Sequence, residues 1–86
     1  MYKVLILPPA RAVLNGLPRK RAERMLTIVR RIAADPFARH PNVDRLKGEK
    51  GAFRYRLGDW RLLYHVDSKR RTLTLAAVRP RGHAYR

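Results

Sequence analysis

The sequence contains no cysteine. That excludes a disulfide framework, a thiolate zinc site and a cysteine nucleophile, and it suits a reducing cytoplasm. Acids are scarce: six Asp plus Glu are scattered over 86 residues and give no convincing carboxylate pair. Glycine is limited to five, and Leu46 to Gly51 (L-K-G-E-K-G) holds too few to cradle a phosphate. The three histidines, His40, His65 and His83, have no partner at i,i+4 spacing, so no metal site and no cofactor is expected. The opening apolar run, Val4 to Pro9, is far too short for a bilayer span or a signal peptide. The length allows a single domain over residues 1–86, with a small core.

What the sequence has in excess is positive charge. Lys plus Arg number 21, for a net charge of +15, and 16 of them are arginine. Arginine presents a planar fork that matches phosphate and stacks on bases. So basic a body points to a nucleic acid or an acidic protein partner. Yet 45% of the residues are hydrophobic and patterned, so the chain folds.

The pattern predicts the order β-α-α-β-β-β. Tyr2 to Leu7 reads as a buried strand. Pro8-Pro9 presets a short helix, Pro9 to Asn15, with Gly16 as its C-terminal cap. Arg19 to Ala34 is the clearest helix, with Ala22, Met25, Leu26, Val29, Ile32 and Ala33 in one stripe. Asp35-Pro36 stops it, and Phe37 to Val43 reads as a loop. Three alternating strands follow: Ala52 to Leu57, Trp60 to Val66 and Thr72 to Val78. The expected class is α+β, a two-helix hairpin packed on one face of a mainly antiparallel four-stranded sheet.

Gly58-Asp59 reads as a type II′ turn, which pairs Leu57 with Trp60, Arg56 with Arg61, Tyr55 with Leu62 and Phe53 with Tyr64. Across the next turn, Tyr64 is expected to face Leu73, Leu62 to face Leu75 and Trp60 to face Ala77. One face then carries Phe53, Tyr55, Leu57, Trp60, Leu62, Tyr64, Leu73 and Leu75, which is the core. The other carries Arg54, Arg56, Arg61, His65, Thr72, Thr74 and Ala76. Arg56 opposite Arg61 is a like-charge pair that costs stability, and an anion between them would remove the penalty. On this phase Arg79 and Arg81 share the core side of Leu73, and only a break at Pro80 redirects Arg81.

The tail, Val78 to Arg86 (V-R-P-R-G-H-A-Y-R), adds Arg81, His83 and Tyr85. Folded over the sheet, Tyr85 would meet clustered cations, which favour a phenolate able to act as general base. Arg61 and Arg81 would grip a phosphate. The leaving oxygen needs a proton that arginine is too basic to give, and His83, Lys47 and Lys50 remain open as acids. The combination suits metal-independent cleavage of RNA by its own 2′-hydroxyl. Arg30-Arg31 and Lys69 to Arg71 read as solvated charge that adds affinity.

Three stretches together resemble the RelE/ParE toxin superfamily: Leu46 to Gly48, Phe53 to Val66 (F-R-Y-R-L-G-D-W-R-L-L-Y-H-V) and Val78 to Arg86. Gly16 to Pro18 opening the second helix adds to the resemblance. It is strongest to the RelE branch, whose members cut messenger RNA in the ribosomal A site; ParE-like members poison DNA gyrase. The resemblance implies catalytic roles for Arg61, Arg81 and Tyr85, with Arg54, Arg56, Lys47, Lys50 and His83 holding RNA or phosphate. It also implies a cytoplasmic toxin with two partners: the ribosome with its messenger and ribosomal RNA, and a cognate acidic antitoxin in a hetero-oligomer. Two alternatives stand beside it: a gyrase inhibitor without chemistry, and a basic nucleic-acid-binding module.

Overall fold

The computed structural model describes residues 1–80. Strand β1 (Lys3–Ile6) leads into helix α1 (Pro8–Gly16), helix α2 (Arg19–Ala34) and strands β2 (Val43–Arg45), β3 (Ala52–Leu57), β4 (Trp60–Asp67) and β5 (Thr72–Pro80). The sheet order is β1-β5-β4-β3-β2. β1 runs parallel to β5, and the other neighbours are antiparallel. The expected α+β class holds, with a fifth strand. Val43–Arg45 begins where the expected loop ends and pairs with β3, Asp44 opposite Arg54.

The helices form for the expected reasons. Prolines occupy the first turn of α1, where their missing N–H costs nothing. Gly16 is the last residue of α1 and does not take the left-handed cap conformation; Leu17 leaves in an extended conformation and its N–H bonds to Leu14 O. In α2, Arg19 and Glu23 form an i,i+4 ion pair at 2.9 Å. Its buried side is Met25, Ile28, Val29, Ile32 and Ala33, so Ile28 joins the stripe. Both helices lie against one face of the sheet, closest to β1 and β5. Between these layers Leu62, Leu73 and Leu75 are completely buried, each contributing roughly 2 kcal/mol of transfer free energy.

Two expectations are corrected. β1 is a half-exposed edge strand rather than a buried one: Val4 and Ile6 face the helices, while Lys3, Leu5 and Leu7 are exposed. An apolar run does not reveal whether a strand lies at an edge.

The β4–β5 register is the second correction. The Gly58-Asp59 turn behaves as predicted, with Gly58 at φ +57°, and β3–β4 pairs residue for residue as expected. Across β4 and β5, however, Tyr64 pairs with Leu75, Val66 with Leu73, Leu62 with Val78 and Trp60 with Pro80. The ladder shifts between Leu63 and Tyr64, leaving Ala76 as the extra residue of a β-bulge. Beyond it the phase of β5 is inverted: Val78 enters the core and Arg79 turns to the opposite face. The strand also continues through Pro80 rather than ending at Val78.

Candidate nucleic-acid interface

The sheet face away from the helices carries the charge. Cross-strand partners share a face, so Arg56, Arg61 and Arg79 form one row across β3, β4 and β5. At about 4.8 Å between strands, the row spans roughly 10 Å, a spacing suited to phosphate oxygens held between neighbouring guanidiniums. Beside it, Asp44 pairs with Arg54. One carboxylate oxygen, Asp44 Oδ2, accepts from Arg54 Nη2 at 3.1 Å and lies 3.3 Å from Arg56 Nε. That contact relieves the like-charge cost anticipated for Arg56 and Arg61 and fixes two of the arginines in place.

Arg61 is buried, at 6% exposure. Its Nη1 donates to Gly58 O and Trp60 O, both at 2.8 Å. The type II′ turn thereby anchors the guanidinium, and a fixed cation loses little entropy when an anion arrives. Arg56 and Arg79 are exposed. The row therefore combines a buried, anchored arginine at its centre with Arg56, solvent-exposed but tied to Asp44, on one flank and the exposed Arg79 on the other.

Arg54, Arg56 and Arg61 are brought together as the sequence predicts. Arg79 is the addition that sequence reasoning missed, because Ala76-Ala77 carries no polar signal to reveal the bulge. Lys47 and Lys50 are not brought to the row. They lie in the loop before β3, and the strand from Ala52 to Arg56 alone spans roughly 13 Å between that loop and the row. His65 is exposed on the arginine face but its ring bonds Lys50 O, at 3.2 Å. Arg81, His83 and Tyr85 lie outside the described residues.

Of the hairpin aromatics expected in the core, Phe53, Tyr55 and Tyr64 are buried and Trp60 packs against them half-buried. Phe53 and Tyr64 stack at 5.4 Å, and Tyr55 is buried beside them. The Tyr64 hydroxyl is buried without a hydrogen-bond partner, and burial pushes its pKa up to about 12. Among the described residues no helix is long and apolar enough to cross a membrane, and no cluster of His, Asp and Glu could hold a metal ion.

Several solved structures share this fold. The toxin of the RelE–RelB complex from Pyrococcus horikoshii is 29% identical, with a TM-score of 0.80 over 95% of this chain and 97% of that one. A RelBE toxin–antitoxin complex from Mycobacterium tuberculosis matches at 27% identity, TM-score 0.75, over 93% and 98% of the two chains. The isolated RelE toxin of E. coli shares the fold at 18% identity, with a TM-score of 0.79 over 99% and 92%. No curated protein matches the chain in sequence at a significant level. The family model described as the ParE toxin of type II toxin–antitoxin systems matches residues 4–85, and with that match and this fold the chain belongs to the RelE/ParE superfamily of type II toxins.

Proposed function

We propose that this toxin is a ribosome-dependent endoribonuclease that cuts messenger RNA in the A site. The observation that carries the reading is the Arg56–Arg61–Arg79 row with Arg54 beside it. A guanidinium row suits a phosphodiester whose charge grows in the transition state.

In this reading the scissile phosphate lies on the row, with Arg61 as its fixed contact. Tyr85, as phenolate, takes the proton from the adjacent 2′-hydroxyl. The freed oxygen attacks phosphorus and the bond to the 5′ oxygen breaks. That leaves a 2′,3′-cyclic phosphate on one fragment and a 5′-hydroxyl on the other, once an acid has protonated the departing oxygen. No metal ion is needed. Arg81 closes over the phosphate, as the family resemblance implies, and Arg79 shares that task from the sheet. Lys47 and Lys50 lie in the loop before β3, away from the row, which leaves His83 as the acid. The surface is too small to orient a flexible message alone, so the ribosome supplies that positioning.

The partner is a cognate acidic antitoxin. Relatives in solved structures are held in RelE–RelB complexes, and a body of net charge +15 attracts an acidic protein. The toxin acts in the cytoplasm, where ribosomes and messages meet.

A second reading is gyrase inhibition without chemistry, favoured by the match to the ParE model. One experiment separates the two. Wild type, Tyr85→Phe and Arg79→Ala are induced in cells lacking the antitoxin, and transcript 5′ ends are mapped. Nuclease action predicts growth arrest with new cuts inside translated codons for wild type, no cuts for Tyr85→Phe and fewer for Arg79→Ala. Arrest by all three with intact transcripts would refute the nuclease reading and make gyrase the target to test.

A further inference from the structure

The other end of the β3–β4 hairpin holds a cleft that the cleavage reading does not use. Phe37, Arg45, Lys50, Phe53, His65 and Lys69 line a space of about 480 Å³, within the range of sites for small organic ligands. Arg45 is the cross-strand partner of Phe53 and its guanidinium lies over the Phe53 ring, 5.9 Å from the centroid. Phe37 meets Tyr2 edge-on at 6.2 Å and still keeps 58% of its surface exposed. An exposed phenylalanine held in place beside a stacked guanidinium is a platform for a flat ring.

Charge defines the other half of the cleft. Arg45, Lys50 and Lys69 surround it, and all three are exposed. Its one acid, Asp67, is committed elsewhere: Oδ1 accepts from the N–H groups of Lys69 and Arg70, at 3.0 and 3.1 Å. Gly51 lets the chain run close to β4 here, at φ +80°; a Cβ on it would stand 2.8 Å from Val66 O. The wall is therefore tight, cationic and partly aromatic.

We infer that this cleft receives one unstacked nucleotide of a single-stranded RNA segment, its base against Phe37 and the Arg45–Phe53 pair, its phosphate at Lys50 and Lys69. Aromatic rings and arginine planes both stack on bases, whichever base is offered. A carboxylate side chain from a protein would satisfy the cations and leave the rings bare. Four residues of β4 separate His65 from Arg61, roughly 13 Å, so the cleft and the arginine row would hold different nucleotides. The RNA source rests on the proposed function; the binding chemistry does not.

The test is titration of the full-length chain with AMP, adenosine and inorganic phosphate, followed by amide resonances, with Arg61→Ala alongside. AMP is expected to shift the amides of Phe37, Arg45, Gly51, His65 and Lys69 in both chains. Phe37→Ala should weaken AMP about fivefold or more, the value of one stacked base, and leave phosphate binding unchanged. Lys69→Ala should weaken AMP and phosphate but not adenosine. A single-stranded hexanucleotide should lose affinity in Phe37→Ala likewise. Equal affinity for AMP and phosphate, or indifference to Phe37→Ala, would overturn the inference. So would shifts confined to Arg54, Arg56, Arg61 and Arg79, or a Phe37-dependent acidic peptide that binds where AMP does not. Circular dichroism verifies the fold of each variant. Nucleotide binding in the Arg61→Ala chain, which lacks the central cation of the row, separates failure of this inference from failure of the cleavage reading.

Discussion

Asp44 offers the sharpest test of the arginine face as an anion site. Asp44→Asn keeps the shape of the side chain and removes its charge. Two ion pairs are lost, to Arg54 at 20% side-chain exposure and to Arg56 at 49%, with Asp44 itself at 39%. Pairs this open to water are worth about 0.2–1 kcal/mol each, so the variant should lose about 1 kcal/mol. In a domain of this size that lowers Tm by about 4–8 °C. The same substitution leaves the arginines of the face with one fewer counter-charge, so a bound phosphate should stabilise the variant more than the wild type. Thermal unfolding in low salt should therefore reveal a gap that narrows by half or more on adding phosphate. Sodium chloride at matched ionic strength should narrow it far less. If chloride closes the gap equally, the effect is general screening and the face is not an anion site.

Three further outcomes are expected. Tyr64→Phe removes a buried, unpartnered hydroxyl while keeping the stack on Phe53, and should raise stability by about 1 kcal/mol in urea unfolding. Because the folded-state pKa of Tyr64 is raised to about 12 from 10.0, the unfolded chain loses this proton first. Its stability contribution is complete below about pH 10 and falls by up to about 1.4 kcal/mol per pH unit toward pH 12, a slope that Tyr64→Phe should lack. Gly51→Ala forces a Cβ against Val66 O at φ +80° and should cost about 2 kcal/mol or more by the same measurement. Deleting Ala76 removes only the extra residue of the bulge and leaves Ala77, Val78 and Arg79 with the same partners on β4, so it should cost about 1 kcal/mol or less; a loss of at least about 3 kcal/mol, as a buried unpaired Arg79 would give, would refute the assigned phase of β5.

The sequence was most legible where chemistry and period agree. Gly58-Asp59 permits one hairpin geometry, and alternation on both sides fixes Arg56 opposite Arg61. The next hairpin was not legible to the same degree. Asp67 to Arg71 offers several ways to close, and the alanines at 76 and 77 look alike on either face, so nothing announces the inverted phase. Arg79 was misplaced for that reason alone. Val43–Arg45 escaped notice because three residues carry too little alternation to mark a strand. Its function comes from Asp44, whose two arginine partners are ten and twelve residues downstream.

The parallel pairing of β1 with β5 also governs when the protein can exist. It joins residues 3–6 to residues 72–75, and closing a loop of that length costs about 4 kcal/mol in chain entropy before any contact repays it. Among the described residues β1 has no other neighbour in the sheet, and Leu62, Leu73 and Leu75 cannot be buried without β5. A nascent chain that stops before residue 72 thus has helices and a hairpin but no core to hold them. Prematurely terminated products should be unfolded and quickly degraded rather than weakly toxic. The arginine row, drawn from β3, β4 and β5, is assembled only after residue 79 has been translated.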